Sequence, residues 1–125
     1  MLSFKSKENR LTGRYNVKSF NINNADSTCY FNNDAFTGLV KIFSENDDEM
    51  GDIIDFYFVD CIISGYWSWR DNKKSIRIFH RFADTIIGPI GGNNIVIWDI
   101  LKLTDTELVL ETDYNDKRYR LELEE

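Results

Sequence analysis

The sequence predicts an all-β domain, in the form of an eight-stranded antiparallel up-and-down β-barrel. Aromatic residues make up 14% of the 125-residue chain, and their side chains suit a half-buried pleated sheet. Short segments of alternating apolar and polar residues follow one another, separated by turns rich in Asn, Asp and Gly. No segment has the apolar period of a helix. A closed barrel hides its sheet edges, whereas the competing two-sheet sandwich usually needs long crossing connections.

The first half of the chain predicts four strands. Tyr15 and Val17 share one face of the first strand and Phe20 and Ile22 the other, which indicates a bulge near Ser19. The Asn- and Asp-rich stretch after it is interpreted as a helical lid or an irregular crossing. The boundary between the third and fourth strands has a poor turn signal. The predicted strands are residues 14–22, 39–43, 52–60 and 65–70.

The second half predicts four more strands and one glycine-dense loop. The loop, residues 83–94, contains Gly88 and Pro89, and its apolar Ile86, Ile87 and Ile90 must be buried somewhere. We interpret it as a loop packed on the barrel end, with a flap at the barrel mouth as the alternative. The predicted strands are residues 75–82, 95–103, 107–112 and 118–124.

Charge and hydropathy exclude several classes of partner. The formal net charge of -6 opposes approach to nucleic acid and to anionic membranes. No apolar run approaches the roughly 18 residues that a membrane span needs, so we predict no membrane insertion by these residues. We expect a polar N-terminal tether at residues 1–10, a single barrel domain at residues 11–125, and a monomer.

Few residues are suited to catalysis, metal binding or disulfide formation. Cys29 and Cys61 could form one disulfide, but we expect two separate cysteines that act as small hydrophobes. One histidine, His80, with no assignable nucleophile indicates a core or cavity residue. These residues do not form a recognisable metal-ligand set, and no motif indicates a cofactor. We therefore predict no catalytic, metal or cofactor site, and a protein that is not an enzyme.

The inward faces of the predicted strands define the expected ligand-binding residues. Eight-stranded barrels are either filled by side chains or hold one small ligand, and both states remain open for this sequence. The residues expected to contact a ligand are Tyr15, Phe56, Phe58, Trp67, Trp69, Ile78, His80, Trp98 and Tyr119. The other inward residues are Val17, Ile54, Ile100, Leu108, Leu110 and Leu121.

Four segments resemble bacterial lipocalin-like domains of the calycin type. Residues 11–17, Leu-Thr-Gly-Arg-Tyr-Asn-Val, are similar to the Gly-x-Trp opening of lipocalins. Residues 65–69, Gly-Tyr-Trp-Ser-Trp, resemble the mid-barrel segment, and residues 98–110 and 119–121 resemble the C-terminal signature. This sequence departs from the pattern in having Tyr15 in place of the opening Trp. The basic residue that packs over this position in the family corresponds to Arg118 or Arg120.

The resemblance implies a compartment and a function. It implies a small secreted or lipid-anchored protein of the bacterial cell envelope, although a native N-terminus at residue 1 would indicate the cytoplasm. We expect a non-enzymatic module that binds a small hydrophobic or amphipathic ligand inside the barrel. The alternative is a solid-core barrel that acts as an interaction or structural module, for which the outward patch would be Phe20, Tyr66 and Phe79.

Overall fold

Antiparallel strands make up nearly all the regular structure of this computed structural model, which describes residues 10–44, 52–80 and 83–125. One 3-10 turn, Thr28–Tyr30, lies between the second and third strands. The strands are β1 (Gly13–Ile22), β2 (Ala25–Asp26), β3 (Leu39–Phe43), β4 (Asp52–Tyr57), β5 (Ile62–Arg70), β6 (Ser75–Phe79), β7 (Ala83–Ile87), β8 (Ile90–Gly92), β9 (Ile95–Leu103), β10 (Glu107–Tyr114) and β11 (Lys117–Glu124).

Eight of these strands close into an antiparallel barrel, which confirms the predicted fold class. Their order is β1-β3-β4-β5-β6-β9-β10-β11, and β11 pairs back onto β1. The short β2 pairs with the end of β1, while β7 and β8 form a separate two-stranded hairpin between β6 and β9. Closure satisfies the backbone groups that would otherwise lie unpaired at the two sheet edges.

Short turns with left-handed backbone conformations connect several strands. Asn23 and Asn24 join β1 to β2, and Asn115 and Asp116 join β10 to β11; all four have φ between 50° and 65°. Positive φ at both central residues is the geometry of a type I′ turn, and Asn and Asp tolerate it better than most residues. These tight turns keep neighbouring strands in the order of the chain.

Both ends of the barrel are covered by side chains. At the lower end, where β1 begins, Leu11 is fully buried and its carbonyl accepts a hydrogen bond from the Tyr15 hydroxyl at 3.0 Å. Arg10 lies beside Asp105 there, with 3.3 Å between Nε and Oδ1. At the upper end, where β1 ends, Phe31 and Ile90 are fully buried. The predicted tether is outside the described residues apart from Arg10.

The structure changes three details of the predicted strands. The register of β1 against β11 shifts between Val17 and Ser19, as the predicted bulge requires, but this shift returns Phe20 to the inner face. Phe20 is fully buried, so its prediction as an outward patch residue is wrong. The predicted loop at residues 83–94 contains the β7–β8 hairpin, in which Ile90 is buried and Ile86 is exposed.

The third difference concerns strand lengths around the predicted weak boundary. β4 ends at Tyr57 and β5 already begins at Ile62, so Ser64 belongs to a strand. The turn between them is closed by a hydrogen bond from the Phe58 N–H to the Cys61 carbonyl, at 2.8 Å. Both cysteines are free thiols, Cys29 exposed and Cys61 half-buried.

Replacement of Phe20 tests its position in the core. Phe20→Ala should lower the free energy of unfolding by about 3–5 kcal/mol, because it leaves a cavity among aromatic side chains. Asn16→Ala, an exposed position on the same strand, should change it by less than about 0.5 kcal/mol. Urea denaturation followed by tryptophan fluorescence measures both. Similar small effects for the two variants would contradict an inward Phe20.

Candidate functional site

The nine residues predicted to contact a ligand all belong to the barrel core or pack against it. Eight of them are buried, and Trp69 is half-buried against the others. They come from seven positions on strands and two in the segments that follow β4 and β6, namely Phe58 and His80. The alternation of inward and outward residues therefore brings the predicted set to the inner face.

Five of these nine side chains border no space large enough for a water molecule. Tyr15, Phe56, Ile78, His80 and Trp98 are each 0% exposed. A void large enough for a water molecule would leave part of its lining accessible to that water. The interior next to these five side chains therefore has the close packing of an ordinary protein core.

Aromatic contacts concentrate near the upper end. Phe31 stacks on Phe58 with 4.2 Å between ring centroids, and Phe56 lies between Phe58 and His80. Phe20 joins this group through an edge contact with Phe31 and a stacked contact with the ring of Tyr119 at 6.2 Å. Sequence patterns missed Phe31, because it lies in an irregular segment with no periodicity.

The β7–β8 hairpin lies over the same end. A methyl group added to Gly88 would come within 2.6 Å of the Tyr119 ring, so the hairpin backbone lies directly on that ring. Gly88 has a φ of +57°, which a residue with a side chain rarely adopts. Burial raises the pKa of the Tyr119 hydroxyl above its usual value, with smaller contributions from Tyr114 and Tyr30.

His80 has one nitrogen with a partner and one without. Its Nδ1 lies 3.2 Å from the carbonyl oxygen of Ser64. Because a carbonyl only accepts, Nδ1 carries the proton of the neutral ring, and Nε2 presents a lone pair. Nε2 is buried and has no hydrogen-bond partner among the described residues. Burial lowers the pKa of His80, and the Ser64 carbonyl opposes this in part.

The three tryptophans have different roles. Trp67 donates its Nε1–H to the Phe43 carbonyl at 2.9 Å and meets Trp69 edge to face at 5.5 Å. Trp98 is fully buried, and within the described part of the chain its Nε1–H has no hydrogen-bond partner. Trp98 and Trp69 both pair with Ile76, so Trp98 lies two strands from Trp69 on the same side of the barrel.

The outer surface carries an apolar row that crosses five neighbouring strands. Each residue of the row is directly paired with the next across the sheet. Those at the two ends of the row are 40% and 56% exposed, and the three in the middle are half-buried. We call this row the apolar belt; its residues are Phe43, Ile53, Tyr66, Phe79 and Ile95.

The other three strands of the barrel carry a charged network on their outer face. Glu111 is only 7% exposed and forms ion pairs with Arg118 and Arg120, the latter at 2.7 Å. Glu122 accepts a hydrogen bond from the Ser19 hydroxyl at 2.5 Å. That bond, together with Arg120, lowers the pKa of Glu122. Neither arginine packs inward over Tyr15, where the resemblance would have placed a basic residue.

In the described part of the chain, no group of three or more His, Cys, Asp or Glu side chains could hold a metal ion. No helix of the described residues has the length and apolar character to cross a bilayer. Comparison with protein-family models, curated proteins and solved structures finds no match. The strand pairing assigns this protein to the closed antiparallel β-barrels. Its membership of the lipocalin-like group stays a prediction.

The lowered pKa of His80 predicts a loss of stability in mild acid. The unfolded histidine titrates near about 6.5, whereas the folded ring binds its proton only at lower pH. As pH falls below about 6.5, the unfolded chain gains a proton that the folded chain does not, and the free energy of unfolding decreases by at most about 1.4 kcal/mol per pH unit. Above that pH the contribution is constant.

Urea denaturation at pH 7.5 and 5.5 measures this dependence. His80→Gln should reduce the difference between the two pH values, because glutamine does not titrate. Ile78→Val, which weakens the packing of β6 just before His80 without changing a charge, should retain the full difference. Equal pH dependence in His80→Gln and the unsubstituted protein would show that His80 does not cause the loss of stability in acid.

Proposed function

We propose that this protein is a non-enzymatic interaction module whose solid barrel binds a protein partner through the apolar belt. The observation that carries the proposal is the direct pairing of five apolar side chains across five strands. Adjacent strands lie about 4.8 Å apart, so the row is roughly 19 Å wide. Ile97, which is 44% exposed, extends it along β9. A contiguous apolar surface of this kind is typical of an interaction site.

The filled interior also supports a function on the outside. The belt residues lie on the same strands as inward side chains such as Ile54, Trp67 and Ile78. Tight packing of the inner face holds those strands in place. The apolar belt is therefore already in its binding arrangement before a partner binds. A preorganised surface loses little conformational entropy on binding.

An uncharged apolar peptide tests the belt directly. We expect an acetylated, amidated hexapeptide of alternating leucine and serine to shift the amide NMR signals of β3, β4, β5, β6 and β9. Ile95→Ser should weaken this binding by roughly tenfold, because an exposed apolar anchor is lost. Ile62→Ser removes an equally exposed side chain outside the belt and should leave the affinity unchanged. Equal effects of both variants would contradict the proposal.

The predicted binding of a small apolar ligand inside the barrel is the second candidate function. The specific observation in its favour is the unpartnered Nε2 of His80 at the aromatic upper end. Since Nε2 presents a lone pair, the matching ligand is a neutral amphiphile with a hydroxyl group that donates. A carboxylate has no proton to donate and is disfavoured. Entry requires the separate β7–β8 hairpin to move, because the space beside His80 is filled.

Titration with n-decanol and with decanoate, followed by tryptophan fluorescence, tests this second function. Saturable binding of decanol, weaker binding of decanoate and loss of decanol binding in His80→Phe are the expected results. Ile62→Ser serves again as the surface control. If decanol causes no saturable change in tryptophan fluorescence, the proposed ligand site beside His80 is contradicted.

A further inference from the structure

We propose that the apolar belt selects an arginine or lysine side chain that is flanked by apolar residues in the partner protein. The inference rests on the proposed function of the belt and names the chemistry of its partner. It is carried by a groove next to the centre of the belt, in which one carboxylate lies beside apolar surface.

The groove lies between the outer faces of β4 and β5. It has a volume of about 300 Å³ and is lined by Ile53, Asp55, Ser64, Gly65 and Tyr66. Two of these residues, Ile53 and Tyr66, belong to the belt and pair directly with each other. Asp55 pairs with Ser64 one row above them. The groove therefore combines an apolar wall with a single acidic group.

Asp55 has no cationic partner among the residues that the structure describes. Its half-buried carboxylate makes no hydrogen bond or ion pair with any residue in the described ranges. Lys41 pairs with Asp55 in the strand register, but its ammonium lies over the ring of Tyr57, 4.8 Å from the centroid. The basic side chain of β3 thus contacts an aromatic face rather than the carboxylate.

A long basic side chain matches both parts of the groove. The aliphatic stem of arginine or lysine packs on apolar surface while its charged end reaches a polar group. Here the stem would lie on Ile53 and Tyr66, and the cation would meet Asp55. Apolar neighbours in the partner segment would then cover Phe79 and Ile95, further along the belt.

The charge of the whole chain favours this partner over a second copy of the protein. The formal net charge is -6, so two copies repel each other, whereas a basic segment is attracted. Long-range attraction alone would act on any basic peptide. A test must therefore separate the charge of Asp55 from the charge of the chain.

Fluorescence anisotropy with three labelled hexapeptides makes this separation. The peptides alternate leucine with arginine, glutamate or serine. Asp55→Asn should weaken binding of the leucine–arginine peptide by roughly tenfold, the effect of removing a charged hydrogen-bond partner. Asp60→Asn removes the same charge from an exposed turn and should change binding less than about twofold, because salt screens distant charges. Asp55→Asn should leave the leucine–serine peptide unaffected.

Each other outcome is decisive. Equal weakening by Asp55→Asn and Asp60→Asn, or equal affinity for the arginine and glutamate peptides, would overturn the inference. If Ile95→Ser still weakens the leucine–serine peptide in that case, the belt function survives without the charge selectivity. If Ile95→Ser affects none of the peptides, both proposals fail. Sedimentation showing a dimer of the unsubstituted protein that Ile95→Ser disperses would instead assign the belt to a second copy.

Discussion

The pairing of β1 with β11 is the constraint on which the rest of the structure depends. β1 pairs with β3 through its first residues and with β11 through its later ones, so a single strand joins the first and last parts of the sheet. The bulge between Val17 and Ser19 bends β1 at the point where its partner changes. Without this closure the inner face would have two open edges, and Tyr15 and Phe20 would lose their covering.

The strands themselves were predictable because alternation of apolar and polar residues is a local property of the sequence. All eight barrel strands were predicted, and the inward residues from Tyr15 to Leu121 lie in the core or pack against it. Phe20 was placed on the wrong face because the bulge adds one residue to β1 and so reverses the inward–outward alternation after Ser19. The β7–β8 hairpin was missed because its glycines indicate a loop when they are considered alone.

The apolar belt could not be predicted from local patterns. Phe43, Ile53 and Ile95 are far apart in the sequence, and each is an ordinary apolar residue on the polar side of its strand. They form a row only because the register of four strand pairs aligns them. Register is set by turns and bulges together, so the prediction identified Tyr66 and Phe79 but not the row that contains them.

The charged network and the apolar belt lie on different strands of the barrel. Glu111, Arg118 and Arg120 lie on β10 and β11, and Ser19 on β1, whereas the belt runs over the remaining five strands. The outer faces of those five strands also carry Lys41, Asp55 and Arg77, so the apolar character is confined to a single row. A partner that covered this row would have to match a narrow apolar line with charged groups on each side of it. The ion pairs of Glu111 lie on strands outside the belt, so a partner bound along the belt would leave them in contact with solvent.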